Sequence, residues 1–217
     1  MIKFEHTDVM NLDNAIRGMR NPLASWDKSD SRLSVINLDD VELGYEPIRE
    51  YIIGEKDLTL AKQLTSAGSD HRKFLRQIFV SVDITAPLYW WKEYDTYKVG
   101  TVANSCSTMH TIHKKPFELD DFSHEKMNSY ALDHLERTIK ALETLREAYS
   151  VSGDKCEWDS IIQLLPSSYN QMRTCTLTYE NVLAIYYARR NHKLEEWHAF
   201  CDWAMELPYL AEFMGVV

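Results

Sequence analysis

The chain has 217 residues, 45% of them apolar and 26% charged, with a formal net charge of -9. That is the make-up of a globular protein with ample core, and the length suits one large domain. The acidic balance excludes a general binder of nucleic-acid polymers, which needs clustered Lys and Arg. No apolar run approaches the ~20 residues of a membrane-spanning helix.

The opening Met-Ile-Lys-Phe-Glu-His has no basic region leading into an apolar stretch, so no secretory signal is read and a cytoplasmic location is expected. Cys106, Cys156, Cys175 and Cys201 form no CxxC pair and read as reduced thiols. Over the first fifty residues, Asn21-Pro22, Ser29-Asp30-Ser31 and Glu46-Pro47 are turn signals, and irregular structure is expected there. Leu58, Ala61 and Leu64 predict a helix over 57–67 that stops at Gly68. Ile78, Val80, Val82 and Ile84 alternate with Phe79, Ser81 and Asp83, the period of a half-buried strand ended or bent by Pro87.

The aromatic stretch 89–97 predicts a short helix beneath that strand, and the small polar residues 100–110 a loop near a ligand. Ser123 is the expected cap of a long helix. Met127, Ala131, Leu135, Ile139, Leu142 and Tyr149 hold its 3.6-residue period, and Gly153 ends it. A new segment opens at Leu164-Leu165-Pro166. Two more helices are expected over 178–190 and 194–207, the second stopped by Pro208. The fold class is therefore α+β, helix-rich in a single domain over 1–217.

Several clusters invite chemistry. His110 and His113 sit three apart and His124 follows, but a metal site needs a third ligand and a helix or strand to hold the set, and Lys114-Lys115-Pro116 suggests a mobile surface connection, so they read as surface histidines. His134 reads as a partly buried structural residue. Asp39-Asp40 with Glu42, and Asp120-Asp121, read as solvated charge runs. The phosphate loop of nucleoside triphosphatases, GxGxxG and GxSxG are all missing.

The segment HRKFLRQIFVSVDITAPLYWWKEYDTYKVGTVANSCSTMH, running 71–110, has an unusual order: a His, a strand, Ala86-Pro87, an aromatic stretch, then a small polar loop. It resembles the central region of the flavin-dependent thymidylate synthases. In that family a His-bearing segment leads through a strand and a small residue plus Pro to a Gln, an Arg-His-Arg triplet and an Asn-x-x-Ser loop. His71 stands at the flavin-side histidine, Glu93 at the Gln, and Thr96-Tyr97-Lys98 at the triplet. Asn104-Ser105-Cys106-Ser107 keeps Asn-x-x-Ser, offset by one inserted residue. The later stretch LLPSSYNQMRTCTLTYENVLAIYYARRNHKLEEW is similar to the family's Leu-Pro, Leu-Arg and Gln-Trp-Glu elements, with Arg190 and Trp197 at the family's separation. Together the two blocks cover roughly half the chain, and residues 1–56 remain poorly assigned.

The resemblance implies a helix-rich α+β domain with a small, mostly antiparallel sheet, assembled as a homotetramer with FAD between subunits. It implies methyl transfer to C5 of dUMP or a related pyrimidine nucleotide, with NADPH and methylenetetrahydrofolate as co-substrates. His71, Lys98 and Asn104 would lie on the flavin side. Glu93, Ser107 and Arg190 would lie on the nucleotide side, with Ser107 and Arg190 as the catalytic candidates. The chain departs from the pattern where cations are expected: only Lys98 survives of the triplet, and Met109, Gln163 and Ser105 replace an Arg, an Arg and a Glu. Each charge-assisted hydrogen bond lost with such a group is worth ~1.5–3 kcal/mol. The alternative is a non-catalytic binding or assembly protein that retains the fold.

Overall fold

The computed structural model describes residues 2–36 and 48–216; the Asp39-Asp40 and Glu42 cluster and Glu46-Pro47 lie outside them. Strand β4 (Phe79–Pro87) realises the alternating pattern. Val80, Val82, Ile84 and Ala86 are buried, whereas Phe79 keeps 40% of its surface. Pro87 is the last strand residue, and α3 (Leu88–Tyr94) follows at once. The first helical N–H groups, of Leu88 and Tyr89, donate to the carbonyls of Tyr169 and Ser167 at 3.0 Å each, satisfying donors that a helix start leaves open.

β1 (Lys3–Met10), β5 (Val102–Ser105) and β6 (Asn170–Thr178) join β4 in a four-stranded sheet of order β1-β4-β6-β5. A separate antiparallel pair joins β2 (Arg32–Ile36) to β3 (Ile48–Ile52), with Ser34 opposite Glu50. The class is α+β, as expected. The expectation of irregular structure over the first fifty residues is corrected: β1, α1 (Leu12–Gly18) and β2 occupy much of the described part. β1 carries mostly exposed side chains and so has little of the apolar alternation by which strands are read. The loop expected over 100–110 likewise holds β5 and the one-turn α4 (Thr108–Thr111). Every β5 side chain is exposed, so backbone pairing rather than apolar burial makes it a strand.

Two compact units are distinguished, residues 1–7 with 82–175, and residues 8–81 with 176–217. In the first, α5 (Ser129–Ser152) packs on α6 (Lys155–Leu164). Leu135, Ile139, Leu142 and Ile161 share one apolar cluster with Ile112 and Phe122. The cap of α5 is Asn128, not Ser123: its side chain accepts from the Ala131 N–H at 2.9 Å. Ser123 is buried and donates instead to Asn170 Oδ1. Gly153 ends α5 with φ +64°, a left-handed conformation in which glycine carries no steric penalty. Trp90, Trp91 and Tyr94 of α3 are buried, with Trp90 stacked on Tyr94 at 5.1 Å.

In the second unit, α2 (Glu55–Ser66) buries Asp57, Ala61 and Thr65 and packs on α9 (Leu210–Met214). α7 (Tyr179–Arg189) opens with a reciprocal capping box of Thr178 and Asn181 and packs on α8 (Glu195–Met205). Trp197 and Phe200 of α8 are fully buried. Asp57 sits at the centre of a polar hub. Arg20 Nε reaches one carboxylate oxygen at 2.5 Å, and the hydroxyls of Ser29 and Ser31 donate to the other at 2.6 Å. Gly54 is required here by close approach, because a Cβ would lie 2.3 Å from Asp30 Cγ.

Candidate functional site

The unit formed by 1–7 and 82–175 holds a cavity of about 470 Å³, in the range of small-molecule sites. One side is built by three pieces of chain: the end of β4 at Thr85, the turn from β5 into α4, and the start of β6 at Asn170, Gln171 and Met172. The β5–α4 turn is held on both sides. The Cys106 N–H donates to the Met172 carbonyl at 2.9 Å, and the Cys106 carbonyl accepts from Gln171 Nε2 at 2.9 Å.

Gln171 is itself anchored. Its Oε1 accepts from Arg173 Nε at 3.0 Å and its carbonyl accepts from Trp91 Nε1 at 2.9 Å. Arg173 also donates to Asp95 at 2.8 Å and lies 4.2 Å from the Trp91 ring centroid. This chain of contacts runs from Asp95 to the Cys106 carbonyl through Arg173, Gln171 and Trp91, which are buried or half-buried.

The far wall is Asp120, Asp121, Phe122 and His124, with Tyr169 beside them. Asp121 receives Lys115 and the Glu118 N–H. His124 Nδ1 lies 2.8 Å from the Phe122 carbonyl, which fixes the neutral ring with its acceptor at Nε2. Burial, then the charges of Asp121 and Cys106, push the Tyr169 phenol up to about 12, so it remains a donor at neutral pH. Burial likewise pushes the Cys175 thiol up to about 11, and this side chain is inert at neutral pH. Cys106 is exposed.

None of the six residues placed on the flavin or nucleotide side by the family resemblance is a wall of this cavity. Ser107 comes nearest, between the lining residues Cys106 and Thr108, at the start of α4; its carbonyl accepts from Thr111 Oγ1. Asn104 is exposed on β5 and Lys98 is exposed in the preceding turn. Glu93 is half-buried near the end of α3, and its carbonyl accepts from the Thr96 hydroxyl at 2.7 Å. In the second unit, His71 is exposed before β4. Arg190 caps the C-terminus of α7, 5.4 Å from the Tyr187 ring centroid, and Arg189 lies 4.6 Å from that of Trp197.

Of the histidines, His110 is exposed, His113 packs edge-on to Tyr149, and His124 lines the cavity. Asp120 and Asp121 line it too. Among the described residues, no three His, Cys, Asp or Glu side chains are grouped to hold a metal ion. No described helix is long and apolar enough to cross a membrane. Sequence reasoning missed Tyr169, Asn170, Gln171 and Met172. The usable signal was the alternation that continues through Cys175 and Leu177, which marks a strand and thus a cavity wall.

Two solved structures share this architecture. Both are flavin-dependent thymidylate synthase ThyX from Helicobacter pylori with FAD and dUMP. One aligns at a TM-score of 0.68 and 17% identity, covering 98% of this chain and 95% of that one. The other aligns at a TM-score of 0.64 and 18% identity, covering 98% and 96%. No family model matches the sequence, and no curated protein does. At this identity the likeness is one of fold.

Proposed function

We propose that this chain is a flavin-dependent enzyme that transfers a methyl group to C5 of dUMP or of a related pyrimidine nucleotide. The observation that carries the reading is coextension: the ThyX fold, solved with FAD and dUMP, is matched over 98% of this chain rather than over one motif. FAD is the expected cofactor, and its isoalloxazine would supply the hydride and carbon-transfer chemistry when bound. NADPH and methylenetetrahydrofolate are the expected co-substrates, a homotetramer the expected assembly, and the cytoplasm the expected location.

His71, Lys98 and Asn104 are exposed, so their donors are available to a flavin. A lysine ammonium attracts a pyrophosphate as a point charge, without the forked geometry of an arginine. Those residues fit the cofactor, by fewer contacts than an Arg-His-Arg triplet would make. On the nucleotide side, Glu93 and Ser107 would hydrogen-bond the pyrimidine or its sugar, and Arg190 would meet an anionic group. Ser107 is best placed to orient a substrate, because its turn leads directly into the pinned Cys106 and the cavity.

The test begins with the absorbance of the purified protein between the near ultraviolet and the blue, with and without added FAD. Bound oxidised flavin and release of tritium from C5 of labelled dUMP are the expected results. A colourless protein that takes up no FAD and releases no tritium would sink the reading.

A further inference from the structure

We propose that Arg72 is a positioning residue for His71: its guanidinium, forked onto Glu180, locks the turn that presents the histidine. That His71 meets a flavin rests on the function proposed above; the lock itself does not.

The turn is short and faces outward. Ser69, Asp70 and His71 are all exposed, and the His71 and Arg72 N–H groups both donate to the Gly68 carbonyl, at 3.0 and 3.1 Å. Those bonds are local, and water competes for them. The chain that follows is firmly seated: in the 3-10 turn Lys73–Arg76, Phe74 and Leu75 are buried, and Phe74 meets Phe213 edge-on at 5.5 Å. Arg72 stands between the two. Its Nε and Nη2 donate to Glu180 Oε2 and Oε1 at 2.8 and 3.1 Å, across 108 positions of sequence. Among the described residues, no other hydrogen bond ties residues 69–72 to a distant part of the chain.

Two properties set this pair apart from a loose surface ion pair. Its side chains are 20% and 17% exposed, and both carboxylate oxygens are engaged, so turning the guanidinium breaks two charge-assisted bonds at once. Glu180 is also well anchored. It lies in the first turn of α7, where the helix dipole favours a carboxylate, inside the capping box of Thr178 and Asn181. Its neighbour Tyr179 donates its N–H to the Ile78 carbonyl at 3.0 Å and its hydroxyl to the Pro208 carbonyl at 2.7 Å. Fixed at residue 72, the backbone one step earlier is fixed with it, and so is the direction in which His71 leaves the turn. Because its fork is spent on Glu180, Arg72 is not itself the cation that an anionic ligand would meet.

Hydrogen exchange of the full chain, without ligand, reads the lock directly. Arg72→Lys keeps the charge and loses the fork, and Glu180→Ala removes the group that the fork grips. Each should quicken exchange of the His71 and Arg72 amides by about fivefold or more, while the amides of α7 beyond its first turn keep their rates. Unchanged exchange at those two amides overturns the proposal. Titration with FAD, followed by flavin fluorescence, then separates positioning from direct contact. Each variant should bind FAD less tightly by about fivefold or more. Neither should add to the loss caused by His71→Ala, because substitutions that act through one group are not additive. Tighter FAD binding by Glu180→Ala would make Arg72 a cation freed to meet the cofactor, and additive losses would make its effect independent of His71; either overturns the proposal. The functional assignment is read separately. Quickened exchange in a chain that takes up no FAD upholds the lock and removes the flavin; bound FAD with exchange unmoved does the reverse.

Discussion

Two polar clusters, one in each unit, reach opposite states. Around Asp57, a carboxylate with no exposed surface receives Arg20, Ser29, Ser31 and two backbone N–H groups. Every contact closes inward, and the result is a structural joint between α2 and the chain preceding β2. Around Tyr169, Asn170 and His124, the hydrogen bonds are fewer and each leaves an atom over, next to open volume. Burial of a polar group demands partners, so a saturated cluster belongs to stability, whereas a half-saturated one beside a cavity has capacity for a ligand.

The contrast breaks first at Asp57. Asp57→Ala leaves the Arg20 guanidinium, 5% exposed, without its carboxylate, and should cost about 3–5 kcal/mol in denaturant unfolding. A cost of under about 1 kcal/mol would mean that the hub is not saturated in solution. Burial alone would raise the Asp57 carboxyl, but the hydrogen bonds from Ser29 and Ser31 and the Arg20 charge outweigh it and hold it below its ordinary value. Its stabilisation is thus full above the ordinary carboxylate range and lost as pH falls through the depressed value. Melting temperature in acid should fall less steeply in Asp57→Asn than in the parent.

Arg173 is the saturated member of the cavity unit and sharpens the comparison. Arg173→Met removes two charge-assisted bonds and a cation–π contact, and about 2 kcal/mol of stability should go with them. Because Gln171 then loses the group that orients it toward Cys106, alkylation of Cys106 should quicken as well. Stability lost without a change in thiol reactivity would show that the cavity wall does not depend on this chain of contacts. The smallest effect is expected at Lys115, whose side chain is 66% exposed. Lys115→Met should change stability by at most ~1 kcal/mol in denaturant unfolding, and a larger loss would make its pairing with Asp121 part of what holds the cavity wall.

Legibility followed burial. β4, α2, α7, α8 and the long α5 declare themselves through apolar periodicity because one face of each is packed. β1 and β5 do not, since their side chains are mostly or wholly exposed and a strand held by its backbone leaves no pattern. Ser123 was a reasonable cap by residue type, yet Asn128 lies where its side chain meets the Ala131 N–H, and Ser123 is drawn into the core by Asn170. The order His71, Ala86-Pro87, Asn104 and Arg190 was readable as a family resemblance, and the fold agrees with it.

Linear order and local period are written into the residues one after another, so the class of fold, its main helices and its central strand were determined by the sequence alone. Which polar groups end up saturated was not. Asp57 and Arg20 are thirty-seven positions apart, and Cys106 and Gln171 sixty-five. Only tertiary packing brings such groups within hydrogen-bond reach, because water is excluded and partners are chosen across the fold. The same packing decides that one set of carboxylates becomes a sealed joint and another faces open volume.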